Sequence, residues 1–244
     1  MMCRKTCERI NKKFNILNNI PDICENCANC LKCAEVCPSG AIEIIGREYS
    51  SEDLYDALIR DREFYAESGG GVTFSGGEPL LRTSELIPVM KKLSEEKISI
   101  DIETAGNVRW GNFEIVLPYI DKFLFDIKCI DENLHKYGAG SLNKQILENF
   151  NKLYNTSRNS LIVRIPVIPG FNADEKNIED IALFLKDYPQ IKYAEFMPFH
   201  ATASHKYEDM NLKNDFEDYK NMDANSELIK RFRELFKAHN INIK

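Results

Sequence analysis

Thiols crowd the start of this chain. It has eight cysteines in 244 residues, and seven of them fall before residue 38. Cys27-x2-Cys30-x2-Cys33-x3-Cys37-Pro38 puts three thiolates on one tight loop and a fourth before a proline, the spacing that holds iron-sulfur clusters. A structural zinc knob is the rival use of such thiolates, although zinc sites rarely need three Cys-x2 steps followed by Cys-Pro. Cys24 extends the x2 series backwards and reads as spare. Farther along, charges stand where an ordinary core would exclude them. Arg164 lies inside the apolar run Leu161–Val167, and Glu103 and Asp126 stand at the ends of apolar runs. A charge taken out of water needs a partner. Lys128, two residues past Asp126 and therefore on the same strand face, could supply one. Arg164 should meet a carboxylate, from a ligand or from a structural ion pair.

The elements that must position these groups alternate. Short apolar or alternating runs at Val72–Phe74, Ile98–Ile102, Phe123–Ile127, Leu161–Val167 and Tyr193–Met197 read as strands. Helical spacing falls between them, at Leu86, Val89, Met90 and Leu93, at Ile146, Phe150 and Leu153, and at Ile178, Ile181, Leu183 and Phe184. A helix capped by Ser51 should run to about Ala66 before Ser68-Gly69-Gly70-Gly71 breaks it, and a last amphipathic helix should span Ser226–His239. The polar stretch between Thr202 and Asn225 reads as a covering loop. Alternating strand and helix predicts a parallel sheet with helices on one face, either an open sheet or a barrel. In a parallel barrel the C-terminal ends of the strands form the site. That end would gather Gly76-Gly77-Glu78-Pro79, Glu103, Asp126 and His200.

The cysteine spacing resembles bacterial ferredoxins. Upstream sits Cys3-x3-Cys7, and nineteen residues separate Cys7 from Cys27, similar to the gap between the two motifs of a two-cluster ferredoxin. In that register Cys7 completes a four-iron four-sulfur site with Cys27, Cys30 and Cys33, and Cys37 pairs with Cys3 in a second, incomplete site. Glu8 stands where the register expects proline. The other register makes Cys3-x3-Cys7-x2-Ile10 a decayed triad with isoleucine as its third member.

A wider resemblance starts at Pro38. Cys37-Pro38-Ser39-Gly40-Ala41-Ile42, Asp61-Arg62-Glu63-Phe64-Tyr65, the run from Ser68 to Pro79, Ile102-Glu103-Thr104-Ala105-Gly106, Asp126-Ile127-Lys128, the run from Arg164 to Gly170, and Met197-Pro198-Phe199-His200 together resemble the activating enzymes of glycyl-radical enzymes, within the radical-SAM superfamily. The resemblance implies an α/β fold: a partial (β/α)6 barrel over residues 47–244, its first strand missing, after a ferredoxin-like iron-sulfur module over residues 1–46. It implies reductive cleavage of S-adenosylmethionine, with the resulting radical installed on a glycine of a partner enzyme, and an electron donor such as flavodoxin or ferredoxin. It implies that Gly76, Gly77 and Glu78 hold the methionine ammonium. Glu103, Thr104, Asp126 and Lys128 would contact the ligand or a monovalent cation, Arg164 its carboxylate, and His200 its adenosine. His135, Gly138, Gly140 and Val167–Gly170 resemble segments near the partner-binding face, and Cys129 reads as a buried apolar residue. The family's chemistry needs a Cys-x3-Cys-x2-Cys that leaves one iron open, and none is complete between residues 1 and 244. The expectation is that Met1 is internal to a longer reading frame.

Composition narrows the partners. Net charge is -6 and the pI about 5.4, with no block of Lys and Arg interleaved with aromatics, so nothing recommends nucleic acid or an anionic membrane. No apolar run reaches the ~20 residues of a membrane span, and no signal-peptide core follows the start, which predicts a cytoplasmic chain whose thiols stay reduced. Two rivals to the activase are a non-catalytic binder of S-adenosylmethionine and an electron carrier using only the Cys27 cluster.

Overall fold

The computed structural model describes residues 16–17, 20–21, 32–40, 46, 48–156, 159–203, 207, 213 and 218–244. The chain divides into two compact units, residues 1–50 and 51–244. In the first, β1 (Ile16–Leu17) pairs antiparallel with β2 (Ile20–Pro21). A four-residue helix, α1 (Lys32–Glu35), carries Cys33, and a turn closed by Gly40 N–H donating to the Cys37 carbonyl follows it. Cys3, Cys7, Cys24, Cys27 and Cys30 lie outside the described residues.

The second unit begins with α2 (Ser51–Ile59) and α3 (Arg62–Ser68), where the sequence suggested one helix. The strands are β3 (Gly71–Phe74), β4 (Ser99–Thr104), β5 (Lys122–Asp126), β6 (Ser160–Val167) and β7 (Tyr193–Pro198). All neighbours pair in parallel, in the order β3-β4-β5-β6-β7. Strands that follow chain order, each reached by a crossover, put the helices on one face and curl the sheet, as right-handed connections require. This is the partial barrel expected from the sequence. Among the described residues no strand pairs with the free edge of β3. At the other edge Ile243 makes a parallel bridge to Ala194, which extends the sheet beyond β7.

The alternation of each strand divides the sheet into two chemistries. On β4, Ile100, Ile102 and Thr104 are buried, whereas Ser99, Asp101 and Glu103 are half-buried. The buried set, continued by Phe123 and Phe125 on β5 and Val163 and Ile165 on β6, joins the helices in one core. Those helices are α4 (Thr83–Glu95), α5 (Trp110–Val116), α6 (Glu132–Ala139), α7 (Lys144–Thr156), α8 (Glu175–Leu185) and α9 (Glu227–Ala238). Phe125 meets Phe150 edge-on at 5.3 Å, and Phe196 meets Phe236 at 5.0 Å, separations at which aromatic edges and faces attract. On α8 the buried stripe is Ile178, Ile181, Ala182 and Leu185, while Leu183 faces outward. The opposite face of the sheet carries Asp101, Glu103, Lys122, Asp126, Arg164 and Glu195. These share one parity in the strand register, so that face carries a band of charge, interrupted by Leu124 and Ile162 at the same parity. Lys122 Nζ meets Asp101 Oδ2 there at 2.7 Å.

Candidate functional site

At the C-terminal ends of the strands, the turn after β3 opens the site. Gly76 has φ +115, a backbone region that side chains rarely tolerate. A Cβ at Gly76 or Gly77 would meet no atom within 4 Å, so bare backbone faces open space. Glu78 begins the 3-10 turn Pro79–Arg82. Its carboxylate accepts from Leu80 N at 3.2 Å, from Ala105 N at 3.0 Å, and from the Thr104 hydroxyl at 2.8 and 2.9 Å to its two oxygens. Thr104 Oγ1 accepts in turn from Gly106 N at 2.9 Å. Gly106 has φ +72, and a Cβ there would lie 2.2 Å from the Phe125 ring, so glycine is required where the chain leaves β4. Glu78 therefore ties the glycine turn to the end of the neighbouring strand.

The charges meet across the sheet. Arg164 Nη1 lies 2.7 Å from Glu103 Oε1, and Nη2 lies 3.3 Å from Met197 Sδ. Arg164 Nε is 3.2 Å from Glu195 Oε1 but is not aligned for a hydrogen bond. Ser75 donates to the other Glu103 oxygen at 2.9 Å. Only 16% of the Arg164 side chain is exposed, and a guanidinium so placed needs the two carboxylates that flank it. The structural pairing anticipated as one of two options is present. Lys128 Nζ lies 3.0 Å from Asp126 Oδ2, the pairing read from their spacing.

Ser75, Glu78, Glu103, Thr104 and Arg164 thus form connected contacts, and Asp126 with Lys128 a second group. His200 follows β7, is exposed, and has Nδ1 2.6 Å from Thr202 Oγ1. His135 is buried, with Nδ1 donating to the Ser141 carbonyl at 2.7 Å, and a Cβ at Gly138 would lie 2.2 Å from the Phe171 ring. The loops after β5 and β6 therefore pack on each other. Burial pushes the Cys129 thiol up to about 12, with Asp131 raising it further and Lys128 opposing. A thiol held protonated is a poor metal ligand.

Several contributors escaped the sequence reading. Glu195 shares a face with Met197 on β7, a signal available from alternation alone. Asn143, Asn149, Asn172 and Asn177 are buried, and their amides hold loop carbonyls at this end of the barrel. An open groove of about 490 Å³ lies between the loop after β4 and α7, lined by Trp110, Lys144, Glu148 and Lys152 among others. It is separate from the strand-end charges.

Comparison with known proteins agrees with this architecture. Residues 26–185 match the Radical SAM superfamily. The chain is 38% identical over 175 residues to the isethionate sulfite-lyase activating enzyme of Desulfovibrio desulfuricans, covering 71% of this chain and 56% of that protein. It is 37% identical over 209 residues to the trans-4-hydroxy-L-proline dehydratase activating enzyme of Clostridioides difficile, covering 84% and 68%. To the pyruvate formate-lyase-activating enzyme of Clostridium pasteurianum it is 34% identical over 178 residues, covering 73% and 74%. A crystallised domain of a pyruvate-formate lyase-activating enzyme from Bacteroides vulgatus superposes with a TM-score of 0.59 at 26% identity, covering 72% of this chain and 98% of that one. The chain belongs to the radical SAM superfamily and, within it, to the activating enzymes of glycyl-radical enzymes. It spans 56% to 68% of the length of the first two of these relatives. A four-iron four-sulfur cluster and S-adenosylmethionine are the cofactors that membership implies. The open space over Gly76 and Gly77, beside paired charges of both signs, fits a zwitterionic ligand with a cationic centre.

Proposed function

We propose that this protein is an activase for a glycyl-radical enzyme. S-adenosylmethionine, bound with a four-iron four-sulfur cluster for which no complete Cys-x3-Cys-x2-Cys stands between residues 1 and 244, would supply the reductive cleavage that installs a radical on one glycine of the partner. The chain's own work is to bind and orient. The carbonyls of Gly76 and Gly77 accept from the ligand's ammonium, on a turn that Glu78 holds in place. Glu103, Thr104 and Asp126 supply oxygens toward the same mouth or a monovalent cation, Arg164 and Lys128 bring positive charge for a carboxylate, and exposed His200 reaches for the adenosine. Cys27, Cys30 and Cys33, completed by Cys7, hold an auxiliary cluster within an iron-sulfur module over residues 1–46, and Cys37 and Cys3 belong to a second, incomplete site. An electron donor such as flavodoxin or ferredoxin feeds it. Among the described residues no helix is long and apolar enough to cross a membrane, in keeping with a cytoplasmic site of action.

One observation carries this reading: the shared segments Gly76–Pro79, Glu103–Gly106, Asp126–Lys128 and Met197–His200 all lie at or just past the C-terminal ends of parallel strands, in a chain 37% identical over 84% of its length to an activating enzyme. A non-catalytic binder draws no support from relatives that are themselves named as activating enzymes. The test is anaerobic reconstitution, with iron and sulfide, of protein produced from its own locus, followed by reduction and assay of 5'-deoxyadenosine. Nucleoside should appear with S-adenosylmethionine and reductant together and with neither alone. Ligand binding without nucleoside would remove the catalytic claim, and the absence of both would remove the pocket as well.

A further inference from the structure

We propose that Asn172 is a positioning residue that locks the loop after β6 to the loop after β5, and so fixes where Lys128 and Asp126 stand at the mouth. Asn172 is fully buried and uses its whole side chain. Its amide nitrogen donates to the Lys128 carbonyl and to the Pro166 carbonyl, each at 2.7 Å, and its oxygen accepts from Ile168 N at 2.7 Å. The Pro166 and Ile168 bonds close its own loop. The Lys128 bond spans 44 residues and serves no local turn. Asn177, in the first turn of α8, repeats the pattern, donating to the Lys128 carbonyl and the Asn172 carbonyl, each at 3.1 Å. One backbone oxygen thus receives two buried side-chain amides from the far side of the next strand. Ile127 N donates to the Arg164 carbonyl at 2.9 Å, so the backbone on both sides of the Lys128 Cα is anchored to β6 and its loop. From this anchored backbone the side chain of Lys128 meets Asp126 at 3.0 Å. Burial makes these bonds costly for Asn172 to lose, because its fully buried side chain has no water to replace a missing partner.

The functional half of this proposal rests on the reading that S-adenosylmethionine occupies the mouth, so its test has two readouts. In reconstituted protein, Asn172→Ala should accelerate amide hydrogen exchange in residues 127–131 and in residues 166–172 together, by about tenfold, because the shared lock opens both loops. Its dissociation constant for S-adenosylmethionine, titrated calorimetrically without reductant, should rise by about tenfold as the Asp126–Lys128 pair loses its fixed place. Asn172→Asp keeps the volume and the acceptor but turns an oxygen on two carbonyls. A buried carboxyl so placed holds its proton more readily, and once protonated it can donate again. The Asn172→Asp affinity defect should therefore shrink between about pH 8 and about pH 6, while that of Asn172→Ala stays constant over the same range. Faster exchange confined to residues 166–172 would overturn the lock, and an unchanged affinity in both variants would overturn its role at the mouth. If the wild-type protein itself binds no S-adenosylmethionine, the proposed function fails, and the exchange pattern still decides the lock.

Discussion

The family motif invites the assumption that the Glu78 carboxylate is a ligand, yet in the structure it is occupied. It accepts from two backbone N–H groups and a hydroxyl, and these belong to the 3-10 turn after the glycines and to the end of β4. Glu78→Gln tests which role dominates. Glutamine keeps the shape but replaces one carboxylate oxygen with an NH2 group, which must face a donor, either Leu80 N or Ala105 N. One charge-assisted bond is lost and two donors are pressed together, at a cost of about 2 kcal/mol given that Glu78 is half-buried. For a domain of this size that lowers the Tm by ~5 °C. Glu78→Ala frees all three donors and costs about 4 kcal/mol. Calorimetric melting of the wild type and both variants, alongside titration with S-adenosylmethionine, reads the result. Clamping predicts that Tm and affinity fall together in Glu78→Gln, because the glycine turn loosens with the clamp. A Gln variant that melts with the wild type while losing its affinity would refute the reasoning and return the carboxylate to the ligand.

Two further outcomes follow from the polar face and from the buried thiol. Arg164→Met leaves Glu103 and Glu195 without the cation between them and should cost about 3 kcal/mol in urea unfolding, whereas Arg164→Lys, a single point charge that cannot serve both carboxylates, should lose about 1 kcal/mol. Equal stability of Arg164→Met and the wild type would mean that the ion pairs contribute nothing. Cys129 has its folded-state pKa raised from 9.0 to about 12 by burial, so its contribution to stability is full below pH 9 and is lost as the pH rises from 9 toward about 12, where only the unfolded chain gives up its proton. Alkaline unfolding curves should show that decline in the wild type and a shallower one in Cys129→Ser, and identical slopes would discount the buried thiol.

The parts of this molecule that could be read from sequence are those fixed by a local period. Each of the five parallel strands announced itself by apolar runs, and the shared face of Asp101 and Glu103 on β4 follows from the same alternation. Helices α5 and α6 went unread because a short helix at a barrel's end buries little: α5 hides only Phe113 and Val116, and α6 only His135. The break between α2 and α3 at Arg60-Asp61 was masked because Leu54, Leu58, Ile59 and Tyr65, spread over both helices, all pack against the core. Periodicity names the face of a strand but not the neighbour across it. Arg164 could be expected to find a carboxylate, yet Glu195 stands level with it on the adjacent β7, whereas Glu103 reaches it from β4, two strands away across β5. The same limit explains Glu78 and Asn172. A motif records which side chains a mouth contains, whereas whether a side chain faces the ligand or holds the loop that faces it depends on contacts made across 26 residues for Glu78 to Thr104 and 44 for Asn172 to Lys128. Variants at those two positions should therefore disturb fold and affinity together, and a pure ligand contact would separate them.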